Sequence, residues 1–264
     1  MPHPPGPFRS VVFDCDSTLS AVEGVDELAG ARRAEVARLT DAAMRGEIPL
    51  EGVYGRRLAL IQPTRPQLEA LGRLYVEALV PDARAVVAGL VGAGIAVRVM
   101  SGGLLPAVVA LAAALGLGPG DVGAVAIDFD AEGRYAGYDA ASPLARAGGK
   151  RELLAEWRRT LPGPVMLVGD GATDLEAAPA ADLFVAFAGV ADRAAVTAHA
   201  PVIVRANSLA PIYALALGGH PPSAPGSRSL YDRGLALLDD RSRALLVGRD
   251  ASAHTSPEIS RIHD

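Results

Sequence analysis

The sequence predicts an α/β fold in which a parallel sheet is flanked by helices and a small helical segment is inserted after the first strand. Short apolar runs alternate with longer stretches rich in Ala and Leu. These runs are SVVFD near the N-terminus, AVRVMSG (96–102), VGAVAI (122–127), PVMLVGD (164–170) and LFVAFAG (183–189). Runs of consecutive apolar residues, in place of a strict alternation of apolar and polar ones, are typical of parallel strands buried on both faces.

The stretch from Ser20 to about Leu79 interrupts this alternation. Its apolar residues recur at helical spacing, and it contains no strand-like run. Prolines at positions 49, 63 and 66 divide it, which predicts two or three helices. Because the insertion follows the first strand directly, we expect residues 20–79 to form a helical cap domain above the end of that strand. Residues 1–19 and 80–217 would then form the core domain.

Two later segments depart from the helix and strand alternation. IDFDAEGRYAGYDA (127–140) has Glu132-Gly133 between alternating residues, which predicts a hairpin appended to the sheet. Residues 218–264 contain a linker followed by an amphipathic tail of unknown role. The tail could dock on the core, mediate dimerisation or stay mobile, and its leucine stripe at positions 230, 235, 238 and 245 favours docking.

The composition is that of a globular protein with a small-molecule partner. Of 264 residues, 50% are hydrophobic and 21% are charged. The net charge is -5 and no basic stripe is present, so we expect no nucleic-acid partner. No segment has eighteen uninterrupted apolar residues, so we also expect no membrane partner. The sequence leaves open whether the protein is a monomer or a homodimer.

Cysteine occurs once, at Cys15, so no intramolecular disulfide can form and a reducing compartment is favoured. The segment MPHPPGPFRS lacks the basic and long apolar regions of a signal peptide. We therefore expect a cytoplasmic location. Two flanking carboxylates would raise the pKa of the Cys15 thiol, so we interpret it as a packed residue and not as a nucleophile.

Two carboxylates follow the first predicted strand directly, at Asp14 and Asp16. An isolated pair of this kind is typical of an Asx-turn or of a helix N-cap near Ser17. At the end of a buried strand, however, burial and mutual repulsion disfavour the charged forms. A divalent cation would favour them, and magnesium prefers hard oxygen ligands.

Other predicted strands also end on polar or charged residues. A second acidic end is Gly169-Asp170-Gly171-Ala172-Thr173-Asp174, Ser101-Gly102-Gly103 follows another strand, and Lys150 follows two glycines. Alone, the serine motif would be a strand-to-helix turn and the lysine a solvated helix-start residue. Because ligands of parallel sheets bind at the carboxyl ends of strands, we expect these groups to converge. Together they supply a nucleophile, a metal site, hydroxyl and amide donors and a cation, as phosphoryl transfer requires.

These residues also carry a family resemblance. Asp14-x-Asp16-Ser17-Thr18, Ser101-Gly102-Gly103, Gly149-Lys150 and the acidic motif 169–174 resemble the four ordered motifs of the haloacid dehalogenase superfamily. FDCDSTLSAVEGVDELA, RRLALIQPTRPQ, YAGYD and GDGATDLEAAPAADLFVAFAG resemble its phosphoserine phosphatase branch. The similarity runs from about Val11 to Leu217 and is far more specific than one short motif. It implies a Rossmann-like core of this superfamily with a small cap.

The resemblance also implies an activity. It is the Mg²⁺-dependent hydrolysis of O-phosphoserine to serine and phosphate through an aspartyl-phosphate, the last step of serine biosynthesis. Asp14 would be the nucleophile, and Asp16 would protonate the leaving group and then activate water. Magnesium would be held by Asp14, the backbone carbonyl of Asp16 and Asp170, with Asp174 supporting the site.

The remaining roles concern the substrate. The resemblance implies that Ser101, the Gly102 amide and Lys150 neutralise the phosphoryl oxygens, with Gly103 and Thr173 in the same binding set. In the cap, Glu23 would bind the substrate ammonium and Arg57 its carboxylate. Met44 and Leu50 would line the apolar side.

Several alternatives stay open at this point. Arg56 lies beside Arg57, and a one-residue slip of the alignment would exchange them. Glu23 could instead favour the dipole of a cap helix. Leu50 stands where the family usually has Phe, which leaves open a phosphatase or phosphotransferase acting on another small amino-phosphate or sugar phosphate. An inactive binding or regulatory module is a further alternative.

Overall fold

The computed structural model describes residues 7–44, 50–240 and 242. A six-stranded sheet lies at its centre, and all of its strand pairs are parallel, which confirms the predicted α/β class. The strands are β1 (Ser10–Phe13), β2 (Ala96–Leu104), β3 (Val122–Val125), β4 (Ile127–Phe129), β5 (Tyr135–Tyr138), β6 (Val165–Gly169), β7 (Leu183–Phe187) and β8 (Val202–Val204).

Helices lie between the strands and cover the sheet. They are α1 (Gly24–Ala29), α2 (Arg33–Met44), α3 (Leu50–Ile61), α4 (Arg65–Glu77), α5 (Ala83–Gly92), α6 (Leu105–Ala114), α7 (Gly149–Trp157), α8 (Ala172–Ala177), α9 (Ala194–Thr197), α10 (Ala210–Leu217) and α11 (Pro225–Leu237). Short 3-10 turns occur at Gly30–Arg32, Pro119–Asp121, Pro143–Ala145 and Ala178–Ala180. Within the described ranges, no helix is both long and apolar enough to cross a membrane.

Strand β1 occupies the middle of the sheet, whose order is β3-β2-β1-β6-β7-β8. Its Val11, Val12 and Phe13 are fully buried. Val11 and Phe13 belong to the apolar cluster that includes residues of α5, α6 and α10, whereas Val12 belongs to the cluster that includes α7. Because both faces of β1 are covered, all four of its positions are buried, and the three after Ser10 are apolar.

Two strands differ from the sequence-based expectation. VGAVAI was expected as one strand, but β3 ends at Val125 and β4 begins at Ile127. The chain already belongs to the hairpin at Ala126, whose carbonyl accepts a bond from the Asp139 amide at 3.0 Å. Strand β8 was not predicted, because a three-residue run such as Val202–Val204 is too short to give a strand signal.

The expected hairpin forms, but β4 and β5 make a separate two-stranded sheet and do not extend the main one. It packs on the inserted helices instead. The Arg65 guanidinium lies 4.7 Å from the centre of the Phe129 ring, and the Arg65 amide donates to the Gly133 carbonyl at 2.9 Å. The rings of Tyr54 and Tyr138 lie 5.5 Å apart. Aromatic contacts with the insertion therefore determine where the hairpin lies.

The insertion contains four α-helices in its described part, α1 to α4, where two or three were expected. The difference arises partly at Pro66, which is the second residue of α4 and begins a helix without breaking it. Proline is tolerated in the first turn because its missing N–H has no partner there. A capping box between Thr64 and Gln67 adds a second start signal.

The two ends of the insertion lie side by side. Ser20 forms an antiparallel bridge with Leu79, and the Ala21 amide donates to the Ala78 carbonyl at 2.9 Å. The polypeptide therefore leaves the core and returns to it at nearly the same point.

Helix α11 docks on the core, as the described part of the leucine stripe predicts. Helix α11 begins at Pro225, inside the segment expected to be a linker, and packs on the fully buried helix α10. Leu230 and Leu238 are buried, and the Tyr231 hydroxyl donates to the Gly218 carbonyl at 2.8 Å. Leu245 lies outside the described residues.

The contact between α10 and α11 generates a stability prediction. A Cβ atom at Gly234 would lie 2.2 Å from the Ala210 carbonyl oxygen, whereas a Cβ at Gly226 has open space around it. We expect Gly234→Ala to lower the free energy of unfolding by about 1–3 kcal/mol, because backbone must move. Gly226→Ala in the same helix should raise it by about 0.5 kcal/mol. Denaturant unfolding measures both, and equal effects would contradict the docking described for α11.

Candidate active site

The carboxyl ends of β1 and β6 bring two distant aspartates together. The strands are neighbours, and the Asp14 amide donates to the Val168 carbonyl at 2.8 Å. Asp14 and Asp170 therefore follow adjacent strands at the same edge of the sheet. In the described part of the chain, carboxylate oxygens of Asp14, Asp170 and Asp174 all lie within 4.8 Å of one another. All three side chains are buried.

Asp174 reaches this cluster from the first turn of α8. The Gly171 amide donates to its Oδ2 at 3.0 Å, which holds the side chain back toward the helix start. A Cβ atom at Gly169 would lie 2.2 Å from the Asp174 Cγ, so glycine at the end of β6 allows the close approach. The local backbone geometry alone thus fixes the orientation of the Asp174 carboxylate.

Lys150 lies between two of these carboxylates. Its Nζ is 2.7 Å from an oxygen of Asp14 and 2.7 Å from an oxygen of Asp174. Burial opposes the positive charge, but the charges and hydrogen bonds of Asp14 and Asp174 outweigh it and raise the pKa of Lys150. The lysine is therefore a permanent cation in the site. This contrasts with the solvated lysine that its position at a helix start would suggest.

The carboxyl group of Asp16 is held by a different set of donors. Its Oδ1 accepts bonds from the Gly24 amide at 2.6 Å and from the Tyr75 hydroxyl at 2.7 Å. Its Oδ2 accepts a bond from the Ser101 hydroxyl at 3.2 Å. Burial, followed by the charge of Asp14, raises the pKa of Asp16 to about 6. A carboxyl group in this range can carry a proton close to neutral pH.

Ser101, Gly102 and Gly103 lie where the pairing of β2 with β3 becomes irregular, between Met100 and Leu104. The Gly103 amide donates to the buried Ser101 hydroxyl at 2.9 Å. The Gly102 carbonyl accepts a bond from the Tyr54 hydroxyl of α3 at 2.9 Å. Because the pairing of the strands is irregular here, backbone groups of this motif are not used in pairing with β3. They lie at the edge of the sheet where Asp16 also lies.

Thr173 is exposed in the first turn of α8, one residue before Asp174. The side chains of Met44 and Leu50 lie outside the described part of the chain. The structure therefore gives no contact for the two residues that were expected to line the apolar side.

The predicted ammonium ligand, Glu23, lies at the N-cap of α1 and is partly exposed. Its Oε1 accepts bonds from the Ser17 hydroxyl at 2.7 Å and from Arg193 at 2.6 Å. It is therefore held by the core and does not only favour the dipole of α1.

The two candidate arginines of α3 differ in their surroundings. Within the described residues, Nε of Arg57 is buried without a hydrogen-bond partner, and its Nη2 is 3.7 Å from Asp26. Burial raises the pKa of Tyr54, while the nearby charge of Arg57 opposes that shift. Arg56 is exposed and lines a separate open cavity of about 500 Å³ between α2 and α3. Arg57, and not Arg56, thus lies near Tyr54, whose hydroxyl bonds the Gly102 carbonyl.

Arg193 and Tyr75 were not identified from the sequence. Arg193 follows β7 and donates to Asp170 Oδ2 at 2.7 Å, so it links that carboxylate to Glu23. The rule that ligands gather at strand ends could have indicated the β7 loop. Tyr75 lies inside a helix of the insertion, and its sequence context contains no signal of the contact with Asp16.

Comparison with known proteins identifies the family. A model of haloacid dehalogenase-like hydrolases matches residues 8–182. The chain belongs to this family. Phosphoserine phosphatase of Rattus norvegicus is 38% identical over 183 residues, covering 68% of this chain and 81% of the rat protein. The human phosphoserine phosphatase is 37% identical over the same shares of both chains.

A solved structure shows the same fold. A phospho-aspartyl intermediate analogue of phosphoserine phosphatase superposes with a TM-score of 0.62 and 25% identity. The match covers 76% of this chain and 95% of that chain. The predicted family and fold class are therefore confirmed, and the four motifs quoted from the sequence belong to a hydrolase of this family.

The carboxylate cluster of this family member could hold a metal ion. Its three side chains offer only oxygen ligands, which suit a hard divalent cation. Burial and the charge of Asp14 raise the pKa of Asp170 to about 6 and also raise the pKa of Asp174. A cation at this position would favour the ionised carboxylates. The donor set therefore fits a divalent metal.

The raised pKa of Asp170 generates a prediction for metal-free protein. A carboxyl group with a raised folded-state pKa contributes stability below its unfolded pKa and loses it as the pH rises through the folded value. Replacement by Asn removes this dependence. Relative to wild type, Asp170→Asn should therefore gain up to about 3 kcal/mol of stability between about pH 4 and pH 7. Denaturant unfolding with a chelator at each pH measures this difference.

Asp182 provides the control, because its hydrogen bonds with Arg158 and the Val165 amide outweigh burial and lower its pKa. The stability difference between Asp182→Asn and wild type should stay nearly constant over the same range, because Asp182 titrates below it. A constant difference for Asp170→Asn as well would contradict the prediction.

Proposed function

We propose that the protein is a Mg²⁺-dependent phosphoserine phosphatase, which hydrolyses O-phosphoserine to serine and phosphate as the last step of serine biosynthesis. Identity with the rat and human phosphoserine phosphatases supports the substrate. The observation that carries the proposal is the ion pair of Asp14 with Lys150 at the sheet edge, with the carboxyl group of Asp16 close enough for the charge of Asp14 to raise its pKa. A nucleophile, an acid and a cation thus lie at one edge, and Arg57, which can bind a carboxylate, lies near Tyr54, the residue that bonds the Gly102 carbonyl.

We assign nucleophilic attack on phosphorus to Asp14. Lys150 holds one of its oxygens at 2.7 Å and fixes the orientation of the carboxylate. The resulting aspartyl-phosphate divides one difficult hydrolysis into two easier steps. The second step is attack of water on that phosphorus, which frees the Asp14 carboxylate.

We assign proton transfer to Asp16, whose carboxyl group accepts hydrogen bonds from three uncharged donors, the Gly24 amide and the Tyr75 and Ser101 hydroxyls. With its pKa raised to about 6, it can protonate the leaving serine oxygen and afterwards take a proton from the attacking water. A halide leaves without a proton, so a second carboxyl group in this position favours phosphatase over dehalogenase chemistry.

The phosphoryl oxygens would be bound by the motif at the end of β2 and by Lys150. The Ser101 hydroxyl and the Gly102 amide would act as donors. The Gly103 amide bonds the Ser101 hydroxyl and so fixes its position. Thr173, exposed at the start of α8, belongs to the same proposed set. Donors placed before the reaction stabilise the charge that spreads over these oxygens.

We propose Mg²⁺ as the metal of the carboxylate cluster. Asp14, the backbone carbonyl of Asp16 and Asp170 would hold it, with Asp174 supporting the site. When bound, Mg²⁺ supplies positive charge that neutralises phosphoryl oxygens. The oxygen-only donor set supports this choice.

In the insertion, we propose that Arg57 binds the carboxylate of phosphoserine and Glu23 its ammonium. The buried Nε of Arg57 has no hydrogen-bond partner among the described residues, so a carboxylate would satisfy it. The ammonium would compete with Arg193 for Glu23, since both cations need the same carboxylate. Met44 and Leu50 remain proposed apolar lining residues.

We further propose that residues 20–79 act as a cap domain over a core of residues 1–19 and 80–217. The paired ends at Ser20 and Leu79 support movement of the insertion as a unit. A single buried cysteine supports a cytoplasmic location.

Phosphate release tests the proposed function. We expect purified protein to hydrolyse L-phosphoserine in preference to D-phosphoserine, phosphothreonine, phosphoethanolamine, a sugar phosphate and an aryl phosphate, and only with Mg²⁺. Asp14→Asn should lower turnover at least about 10³-fold, because the nucleophile is lost. Preference for a different ester would contradict the substrate, and a fully active Asp14→Asn variant would contradict the mechanism.

Substitution of each of the two adjacent arginines tests the proposed site for the substrate carboxylate. Arg57→Ala should raise KM for phosphoserine by about tenfold or more while leaving kcat/KM for an aryl phosphate nearly unchanged, since that substrate has no carboxylate. Arg56→Ala, which removes an equal charge from an exposed neighbour, should change neither substrate more than about twofold. Equal losses with both substrates after Arg57→Ala would contradict its role.

A further inference from the structure

The Tyr75 hydroxyl makes a hydrogen bond that has no role in the chemistry proposed above. It lies in α4 of the insertion and is fully buried. Its hydroxyl donates to Oδ1 of Asp16 at 2.7 Å, although 59 positions separate the two residues in sequence. A tyrosine from the insertion thus directly contacts the carboxyl group proposed to transfer the proton.

The same Asp16 oxygen receives a second donor from the insertion. The Gly24 amide lies 2.6 Å from Oδ1. A Cβ atom at Gly24 would lie 2.0 Å from the Tyr75 hydroxyl and 3.2 Å from Oδ1, so a larger residue would displace one of the three groups. Glycine at this position therefore allows two donors to converge on one oxygen.

The two oxygens of Asp16 have different surroundings. Oδ1 accepts both donors of the insertion, which occupy its two lone-pair positions. Oδ2 lies on the other side, 3.2 Å from the Ser101 hydroxyl and 3.2 Å from the position of a Cβ on Gly103. A proton on this carboxyl group therefore belongs on Oδ2, the oxygen that faces the proposed phosphoryl-binding motif.

We propose that Tyr75 is the positioning residue of the proton-transfer step, acting together with the Gly24 amide. The two donors hold Oδ1, so that Oδ2 alone delivers and receives the proton. This inference rests on the proposed phosphatase function. It adds a residue of the insertion to the reaction through Asp16, without contact between Tyr75 and the substrate.

Oδ2 of Asp16 gives up a proton in the first phosphoryl-transfer step and recovers one in the second. As an oxygen of Asp14 bonds to phosphorus, the phosphorus–ester oxygen bond breaks and its electron pair stays on the ester oxygen. That oxygen takes the proton from Oδ2 and leaves as the alcohol. In the second step Oδ2 recovers a proton from water as the water oxygen bonds to phosphorus and the bond to Asp14 breaks.

The arrangement also has a conformational consequence. Asp16 belongs to the core, whereas Gly24 and Tyr75 both belong to the insertion. Oδ1 is held only while the inserted helices lie against the core. Proton transfer therefore depends on the position of the insertion, through two hydrogen bonds.

Leaving-group dependence tests the proposal, because kcat/KM reports the steps up to alcohol release. A nitrophenolate leaves without a proton, whereas a serine oxygen needs one. We expect Tyr75→Phe to lower kcat/KM for phosphoserine at least about tenfold and to change kcat/KM for nitrophenyl phosphate less than about twofold. Gly24→Ala should show the same pattern, because its methyl group displaces the tyrosine hydroxyl.

Tyr231→Phe is the matched control, since it removes one buried tyrosine hydroxyl bond in the C-terminal helix. It should leave both kcat/KM values unchanged. Equal losses for both substrates in Tyr75→Phe would show a merely structural role, and no loss for either would also overturn the proposal.

The two proposals can fail separately. If the wild-type protein does not hydrolyse phosphoserine, the proposed substrate is wrong. A comparison of glycerol phosphate with nitrophenyl phosphate then tests Tyr75 in the same way, because an alkyl alcohol also needs a proton to leave.

Discussion

The ion pairs of Lys150 are the constraint on which the site depends. Its ammonium lies 2.7 Å from Asp14 and from Asp174, and all three groups are buried. Removing one member of such a buried group typically costs about 3–5 kcal/mol, because the remaining charges lose their compensation. The chain is built tightly around this lysine: a Cβ at Gly149 would lie 1.6 Å from the Pro143 carbonyl oxygen. Glycine there lets α7 begin close enough for the ammonium to reach both carboxylates.

The site divides its tasks between two parts of the chain. Parallel strands end at one edge, so the core contributes Asp14, Ser101 and Asp170 from β1, β2 and β6. The insertion contributes the Tyr75 hydroxyl, which bonds Asp16, and the Arg57 guanidinium, which lies near Tyr54. In the proposed mechanism, bond breaking thus belongs to residues at the strand ends, and orientation and selection belong to residues of the helices.

The sequence is sufficient to predict the strands with long apolar runs and the polar residues that follow them. Such features are local, and one rule about parallel sheets assembles them. It is insufficient for β8, whose three residues carry too little signal, and for the break at Ala126, which depends on hairpin pairing with Asp139. Tyr75 escapes sequence reasoning because its importance arises only from a contact across the fold, whereas the strand-end rule indicates the loop of Arg193 but not the residue.

The adjacent entry and exit of the insertion, at Ser20 and Leu79, have a consequence for variation within this architecture. This junction closes the insertion at its base, so the polypeptide between the inserted helices can lengthen or shorten without moving the points where the chain leaves and re-enters the core. With the roles proposed above, substrate preference would belong to the insertion, and a transplanted insertion would meet the proposed bond-breaking residues of the core unchanged. An insertion without a donor equivalent to Tyr75 would leave the carboxyl group of Asp16 in place but would not orient it. Only insertions that supply such a donor would therefore be interchangeable.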